Sequence, residues 1–184
     1  MMEPVFLFPT EVEAAAFRTL MPDAEVVVIG VGMAEAAAMT ARYLSLKPRR
    51  EVVLCGIAGA CDERLVVGRV VEVVYDRIDS LPEQYAKEYR TERSTGLEAA
   101  ESFTVNASGE SMCRYTPSAM PAIEQMEGAA VAAVCDAMGV EHFCHIRAIS
   151  NRVGESRDKW RVAEAVAVLA AVVSQLFGKK SSDV

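Results

Sequence analysis

Short β-branched runs alternate along this chain with alanine-rich stretches of helical length. That alternation is the signature of an α/β protein, a parallel or mixed sheet covered by helices on both faces. Strands are predicted over residues 5–8, 25–30, 51–57, 69–74, 102–106 and 142–148. Most of these runs are apolar at every position, so both faces of the strands must be buried. Helices are predicted over 33–46, 121–138 and 158–177, with Gly139 and Gly178 placed to close the last two in left-handed caps. Residues 78–101 turn polar and charged and read as a surface segment, with a helix on the sheet edge as one form it can take. A chain of 184 residues can bury one sizeable core, so a single domain over 1–184 is expected, built as a three-layer sandwich around a mixed, mostly parallel sheet. Its last residues, KKSSDV, are expected to fray.

Charge narrows the partners. Lys plus Arg number 19 against 26 Asp plus Glu, a net charge of −7, which is the wrong sign for a binder of phosphate backbones. Nucleic acid is therefore excluded as the expected partner. The Ala/Val-rich stretch at 162–176 is interrupted by Glu164, Ser174 and Gln175 and does not read as a membrane span. The start, MMEPVFLFPTEVE, lacks the basic region and cleavage site of a signal peptide, which predicts a cytoplasmic location. Five cysteines (Cys55, Cys61, Cys113, Cys135, Cys144), two histidines and no CxxC pair suggest reduced thiols, mostly in the core, with neither a disulfide framework nor a zinc site. No metal or organic cofactor is predicted.

Three segments hold candidate chemistry. GVGMAE at 30–35 follows a strand and opens a helix, as a dinucleotide turn does. However, Glu35 stands where that fingerprint needs a small residue, and no ribose-binding acid follows the next strand. It reads instead as a tight turn, with or without a ligand against it. CGIAGACDE at 55–63 sets Gly56 and Gly59 at the carboxyl end of an apolar strand, where open α/β sheets place ligands; close packing is the plain alternative. The third segment, QMEGAAVAAVCDAMGV followed by the strand HFCHIRAISN, is the most specific. Glu127 opens a helix otherwise made of Ala, Val and Met, and either complements the helix dipole or binds something. Asn151, directly after the strand, is either a turn former or a ligand-facing amide.

The segments MEGAAVAAVC and IRAISN resemble the signature of the purine nucleoside phosphorylase and methylthioadenosine nucleosidase superfamily. TEVE at 10–13, GVG at 30–32, GIAGA at 56–60 and TVN at 104–106 fall in the expected order. Within that superfamily, ISNRVGESRDKW at 149–160 is most similar to futalosine hydrolases, enzymes of an alternative menaquinone pathway. The chain is short for the family between Glu13 and Gly30 and between Asn106 and Glu127, where the outer hairpin and the base-covering loop belong.

The resemblance implies a nucleoside phosphorylase-like domain, a homo-oligomer, that cleaves the N-glycosidic bond of a purine nucleoside and, by its closest likeness, releases hypoxanthine from futalosine. Such cleavage passes through an oxocarbenium-like state, so ribose, attacking water and departing base each need a polar station. By resemblance, Glu127 and Met126 hold the ribose, and a fixed carboxylate there also favours positive charge developing on the ring. Glu13 matches the carboxylate that orients and deprotonates the water, with Glu11 as the alternative register. Asn151 falls where adenosine-type nucleosidases carry an Asp that protonates purine N7. An amide is no general acid, but it donates to an oxygen and accepts from an N–H, which suits the O6 and N7 edge of a 6-oxopurine, although a flipped amide presents the opposite pattern. Gly32, Ala58, Gly59, Asn106 and Trp160 complete the expected substrate contacts. Arg157 and Asp158 are expected near the base or the 5′ substituent, and Met112 and Tyr115 over the base; Trp160 also has a plain reading as a core residue at a helix start. Phosphorolysis would need arginines around a phosphate. Gly32 is followed by Met33, Ala34 and Glu35, Arg64 and Arg69 lie past the strand end, and the facing of Arg147 within its strand is open. Water is therefore the expected nucleophile. A methylthioadenosine or adenosylhomocysteine nucleosidase, a phosphorylase and a non-catalytic purine-binding module are the rival readings.

Overall fold

Along the chain run β1 (Val5–Phe8), α1 (Glu11–Leu20), β2 (Glu25–Val28), α2 (Met33–Leu46), β3 (Glu51–Ala60), β4 (Val70–Ile78), β5 (Glu88–Arg90), β6 (Glu98–Thr104), β7 (Ala122–Gln125), α3 (Gly128–Ala137), β8 (His142–Arg152) and α4 (Val162–Phe177). The structure, a computed structural model, describes residues 4–91, 95–113 and 119–178, without the side chains of 112–113. The expected fraying of the tail from 179 onward lies outside the described residues.

β1 and β3 are buried on both faces, and their period of two divides them between two cores. Phe6, Phe8, Val53 and Cys55 join Ala14 and Phe17 of α1 and Leu169 and Val173 of α4. Val5, Leu7, Val52 and Leu54 face Ala36 and Leu44 of α2 and Val131 and Cys135 of α3. The Phe17 ring lies 4.6 Å from that of Phe6 and 5.5 Å from that of Phe8, centroid to centroid. Each such buried ring contributes roughly 1.5–3 kcal/mol. These interlocked aromatics seat α1 against the sheet.

Helices do cover both faces of a mixed sheet, but the sheet is not the plain sandwich layer that was expected. β2, β1, β3 and β8 run parallel to one another. β8 then pairs antiparallel with β4, β4 parallel with β6, β6 parallel with β7, and β7 antiparallel with β3. Five strands thus form a closed ring, a small barrel, with β2 and β1 extending it as a flange and β5 on the far side of β4. Two register breaks, at Ala58/Gly59 against β8 and at Val73/Tyr75 against β6, supply curvature of the kind that closes a sheet.

Several boundaries differ from the sequence expectation. Residues 121–138 are not one helix: Ala122–Gln125 form β7, wholly buried, and α3 begins at Gly128. Ala, Glu and Gln favour helix in isolation, but pairing with β6 and β3 overrides that preference. Among the described residues of the polar stretch 78–101 there is no edge helix beyond a short 3-10 turn at Glu83–Tyr85, and the stretch supplies β5 and the start of β6. Gly139 caps α3 with φ +69°, as expected. Gly178 instead leaves α4 extended, at φ −61° and ψ 141°. No helix among the described residues is long and apolar enough to cross a membrane.

Candidate active site

A cleft of about 540 Å³ opens at the carboxyl ends of β3, β7 and β8, within the size range of small-molecule sites. Glu13, Ala58, Gly59, Asn106, Met126, Glu127, Asn151 and Trp160 line it, all of them candidates from the sequence. Gly32 stands just behind the wall: its amide donates to Glu127 Oε1 at 3.0 Å. Gly32 has φ +87°, a conformation natural to glycine, and this directs the amide toward a carboxylate 95 positions along the chain. The GVG turn therefore spends its amide on the protein's own anion.

Glu13 arrives through the cap of α1. Thr10 is the N-cap and accepts the Glu13 amide at 3.2 Å, as in a capping box. The Glu13 carboxylate turns inward: its Oε2 accepts the Thr10 hydroxyl at 2.6 Å and its Oε1 accepts the Ile57 amide at 2.9 Å. Burial raises its pKa above the ordinary carboxylate value, opposed by those two hydrogen bonds and by the nearby Arg147 charge. Glu11, the alternative register, is exposed and paired with Arg18.

Glu127 is the N-cap of α3, yet its side chain makes no capping bond. It reaches Gly32 through Oε1 and Arg147 Nη2, at 3.2 Å, through Oε2. Its role as a mere complement to the helix dipole is thus replaced by specific contacts.

Arg147 is the main residue whose part the sequence left open. It is 1% exposed and faces the barrel interior and the cleft. Nε donates to His145 Nε2 at 2.8 Å, Nη1 to the Ile57 carbonyl at 3.1 Å, and Nη2 to Gln125 Oε1 at 3.1 Å and to Glu127. A permanent charge inside a buried strand, four residues before Asn151, was the available signal. Arg64, by contrast, pairs with Asp62, and Arg69 pairs with Glu98 at 2.7 Å; neither lines the cleft.

Asn151 owes its position to the break in β8. Ala58 pairs with Ile149 and Gly59 with Asn151, so Ser150 is the extra residue, and both Ser150 and Asn151 reach the cleft. Ser150 Oγ donates to Asn151 Oδ1 at 2.8 Å, and Asn151 Nδ2 donates to the Arg152 carbonyl at 2.9 Å. Because a carbonyl only accepts, this pairing fixes which way the amide faces. Trp160 is half-buried at the rim rather than in the core; its indole donates to the Glu155 carbonyl at 3.2 Å, and Arg157 stacks over the ring at 5.0 Å. Arg157 also lines the cleft, whereas Asp158 does not. The Met112 side chain and Tyr115 lie outside the described residues.

Sequence reasoning also missed the polar groups inside the ring. Gln125 Oε1 accepts the amides of Glu127 and Gly128 at 2.7 and 2.6 Å, while Nε2 donates to Asp76 Oδ2 at 3.0 Å. Glu124 holds the turn beside Asn106 by accepting the amides of Gly109 and Ser111. Asp76 accepts the Thr104 hydroxyl at 2.9 Å, yet burial pushes its pKa from 3.8 up to about 7. An acid whose pKa rises on folding contributes stability that is complete below its unfolded value and is lost as pH rises through the folded one. His145, whose pKa burial lowers, acts in the opposite sense, so Asp76 is isolated by comparing two proteins. The stability cost of Asp76→Asn is expected to shrink steadily between pH 4 and pH 8, read from urea midpoints of variant and parent; a cost independent of pH would refute the buried-acid reading.

No family model matches the chain. It is 29% identical over 181 residues to futalosine hydrolase of Thermus thermophilus, covering 82% of this chain and 80% of that one. In structure it resembles the futalosine hydrolase of Helicobacter pylori, with a TM-score of 0.83, 15% identity, and 95% and 97% of the two chains covered. It also resembles a methylthioadenosine/adenosylhomocysteine nucleosidase of Colwellia psychrerythraea solved with adenine, with a TM-score of 0.81, 19% identity, and 96% and 95% covered. The chain is thus similar in sequence to a futalosine hydrolase and shares its fold with futalosine hydrolase and methylthioadenosine/adenosylhomocysteine nucleosidase structures.

Proposed function

We propose that this chain hydrolyses the N-glycosidic bond of futalosine and releases hypoxanthine, a step of menaquinone biosynthesis, with water as the nucleophile. The observation that carries this reading is the grouping of two buried carboxylates, Glu13 and Glu127, around Arg147 in one cleft with Asn151. Glu127 accepts the ribose hydroxyls, with Met126 against the sugar. Glu13 takes a proton from the water as its oxygen bonds to the anomeric carbon, and the raised pKa suits a general base. The purine departs with the bonding pair and takes up a proton from solvent at N7 to become neutral hypoxanthine, while Glu13 returns the proton of the water to solvent. Asn151, oriented by Arg152 and Ser150, has one Nδ2–H for the 6-oxo group and an Oδ1 lone pair for an N7–H. Gly32, Ala58, Gly59 and Asn106 shape the walls, and Trp160 with Arg157 borders the rim.

Phosphate is a poor fit as nucleophile on this reading. The buried arginine is engaged by protein acceptors, and an anion placed beside it would also meet the Glu13 and Glu127 carboxylates. The protein is expected to work in the cytoplasm as a homo-oligomer: Val12 and Val31, at the cleft mouth, are 65% and 52% exposed, and a second copy would cover them.

The test is hypoxanthine release in phosphate-free buffer from futalosine, with methylthioadenosine and inosine alongside. Release from futalosine without phosphate supports the proposal, and a requirement for phosphate turns the protein into a phosphorylase. Asn151→Asp is expected to shift the kcat/KM ratio toward adenine nucleosides by about 100-fold, because a site built for one edge pattern leaves groups unpaired with the other. An unchanged ratio would remove Asn151 from base selection.

A further inference from the structure

The ring interior holds one buried imidazole against one buried guanidinium, a contact that the hydrolytic chemistry above does not itself use. His145 is 1% exposed, and its Nε2 accepts Arg147 Nε–H at 2.8 Å. On its other side Nδ1 lies 3.6 Å from Asp76 Oδ2. Arg147 Nε bears a single hydrogen, so its acceptor determines how the guanidinium plane is turned about the side chain. With that hydrogen pinned to His145, Nη1 is directed to the Ile57 carbonyl and Nη2 to Gln125 and Glu127.

Ile57 is the same residue whose amide holds Glu13, so the turned plane meets both carboxylate stations. Only a neutral imidazole with its proton on Nδ1 can accept at Nε2. Asp76 Oδ2, which accepts Gln125 Nε2–H while Oδ1 accepts the Thr104 hydroxyl, stands on the Nδ1 side as an acceptor. Gly128 leaves room for the ring: a Cβ there would overlap His145 Cε1.

We propose that His145, backed by Asp76, is a positioning residue for hydrolysis, setting the orientation of Arg147 and through it the spacing of Glu13 and Glu127. This rests on the nucleoside hydrolase reading of the cleft. The charged groups facing the ring among the described residues are Asp76 from β4 and Arg147 from its own strand.

Two measurements separate the proposal from that reading. His145→Leu, which cannot accept a hydrogen bond, is expected to lower kcat on futalosine about 30-fold with KM within about threefold, since the loss falls on a transition-state group. His145→Gln, whose side-chain oxygen can take the Nε–H, is expected to recover to within about fivefold of wild type. Unchanged kcat in the Leu variant, or equal losses in both variants tracking an equal fall in Tm, would overturn the positioning role. Independently of any substrate, nitrogen NMR of ¹⁵N-histidine protein is read in a His142→Gln background, which removes the other histidine, an exposed one. It should show the Nδ1–H tautomer from pH 5 to pH 8. An imidazolium or an Nε2–H tautomer in that range would overturn the proposal. If wild type shows the tautomer yet releases no base from futalosine, methylthioadenosine or inosine, the hydrolase reading fails, and the positioning role fails with it.

Discussion

Glu13→Gln is expected to lower kcat on futalosine about a thousand-fold while leaving hypoxanthine affinity unchanged. The variant keeps the side-chain length and an oxygen for the Ile57 amide, but it cannot take a proton from water. General base catalysis contributes roughly 10²–10⁴-fold, and few other changes in the cleft remove so specific a step. Stability should not fall with activity. Burial holds the Glu13 pKa high, so its charged form costs free energy at neutral pH, and a neutral amide relieves that cost. The combination of lost turnover, retained product binding by calorimetry and an undiminished Tm is the expected result. Turnover within tenfold of wild type would mean that the water is activated elsewhere.

Gly128→Ala should be strongly destabilising although it adds only one methyl group. Alanine is the better helix former by about 1 kcal/mol, so propensity alone predicts a gain. Position 128, the first residue of α3, has no room: a Cβ would overlap Asp76 Oδ2 and His145 Cε1 and stand 2.8 Å from Gln125 Nε2. All three neighbours are buried and fixed by hydrogen bonds, so none can swing away cheaply. Overpacking of this kind costs about 3 kcal/mol, equivalent to a fall of roughly 10 °C in Tm for a chain of this size. A calorimetric Tm equal to wild type would show that the polar ring interior is loosely held.

The sequence reading succeeded where local pattern and burial agree. β1 and α2 were found with the expected bounds because an apolar tetrapeptide between turns and an alanine-rich amphipathic run each have one stable form. β7 was missed because three of its four residues, Ala122, Glu124 and Gln125, are helix formers that become a strand only by bridging two others. Ring closure was invisible for the same reason: it depends on β8 pairing to opposite sides of the sheet and on breaks of one residue, none of which leaves a compositional trace. In the site, residues within recognisable motifs were found. Gln125 and Asp76 were not, since each gains its meaning from a partner brought from 20 or more positions away, and His145 was not, since its contact with Arg147 depends on how the strand faces. Arg147 was noticed, but its facing could not be assigned before the strand's neighbours were known.

The break in β8 also separates two groups of side chains along the strand. His145 and Arg147 precede it and are clamped inside the ring, whereas Ser150 and Asn151 follow it at the strand tip. Exchanging residues at the tip need not rotate the guanidinium below. If Asn151→Asp changes base preference as expected, specificity resides at one strand end and can be altered without disturbing the Arg147 contacts beneath it.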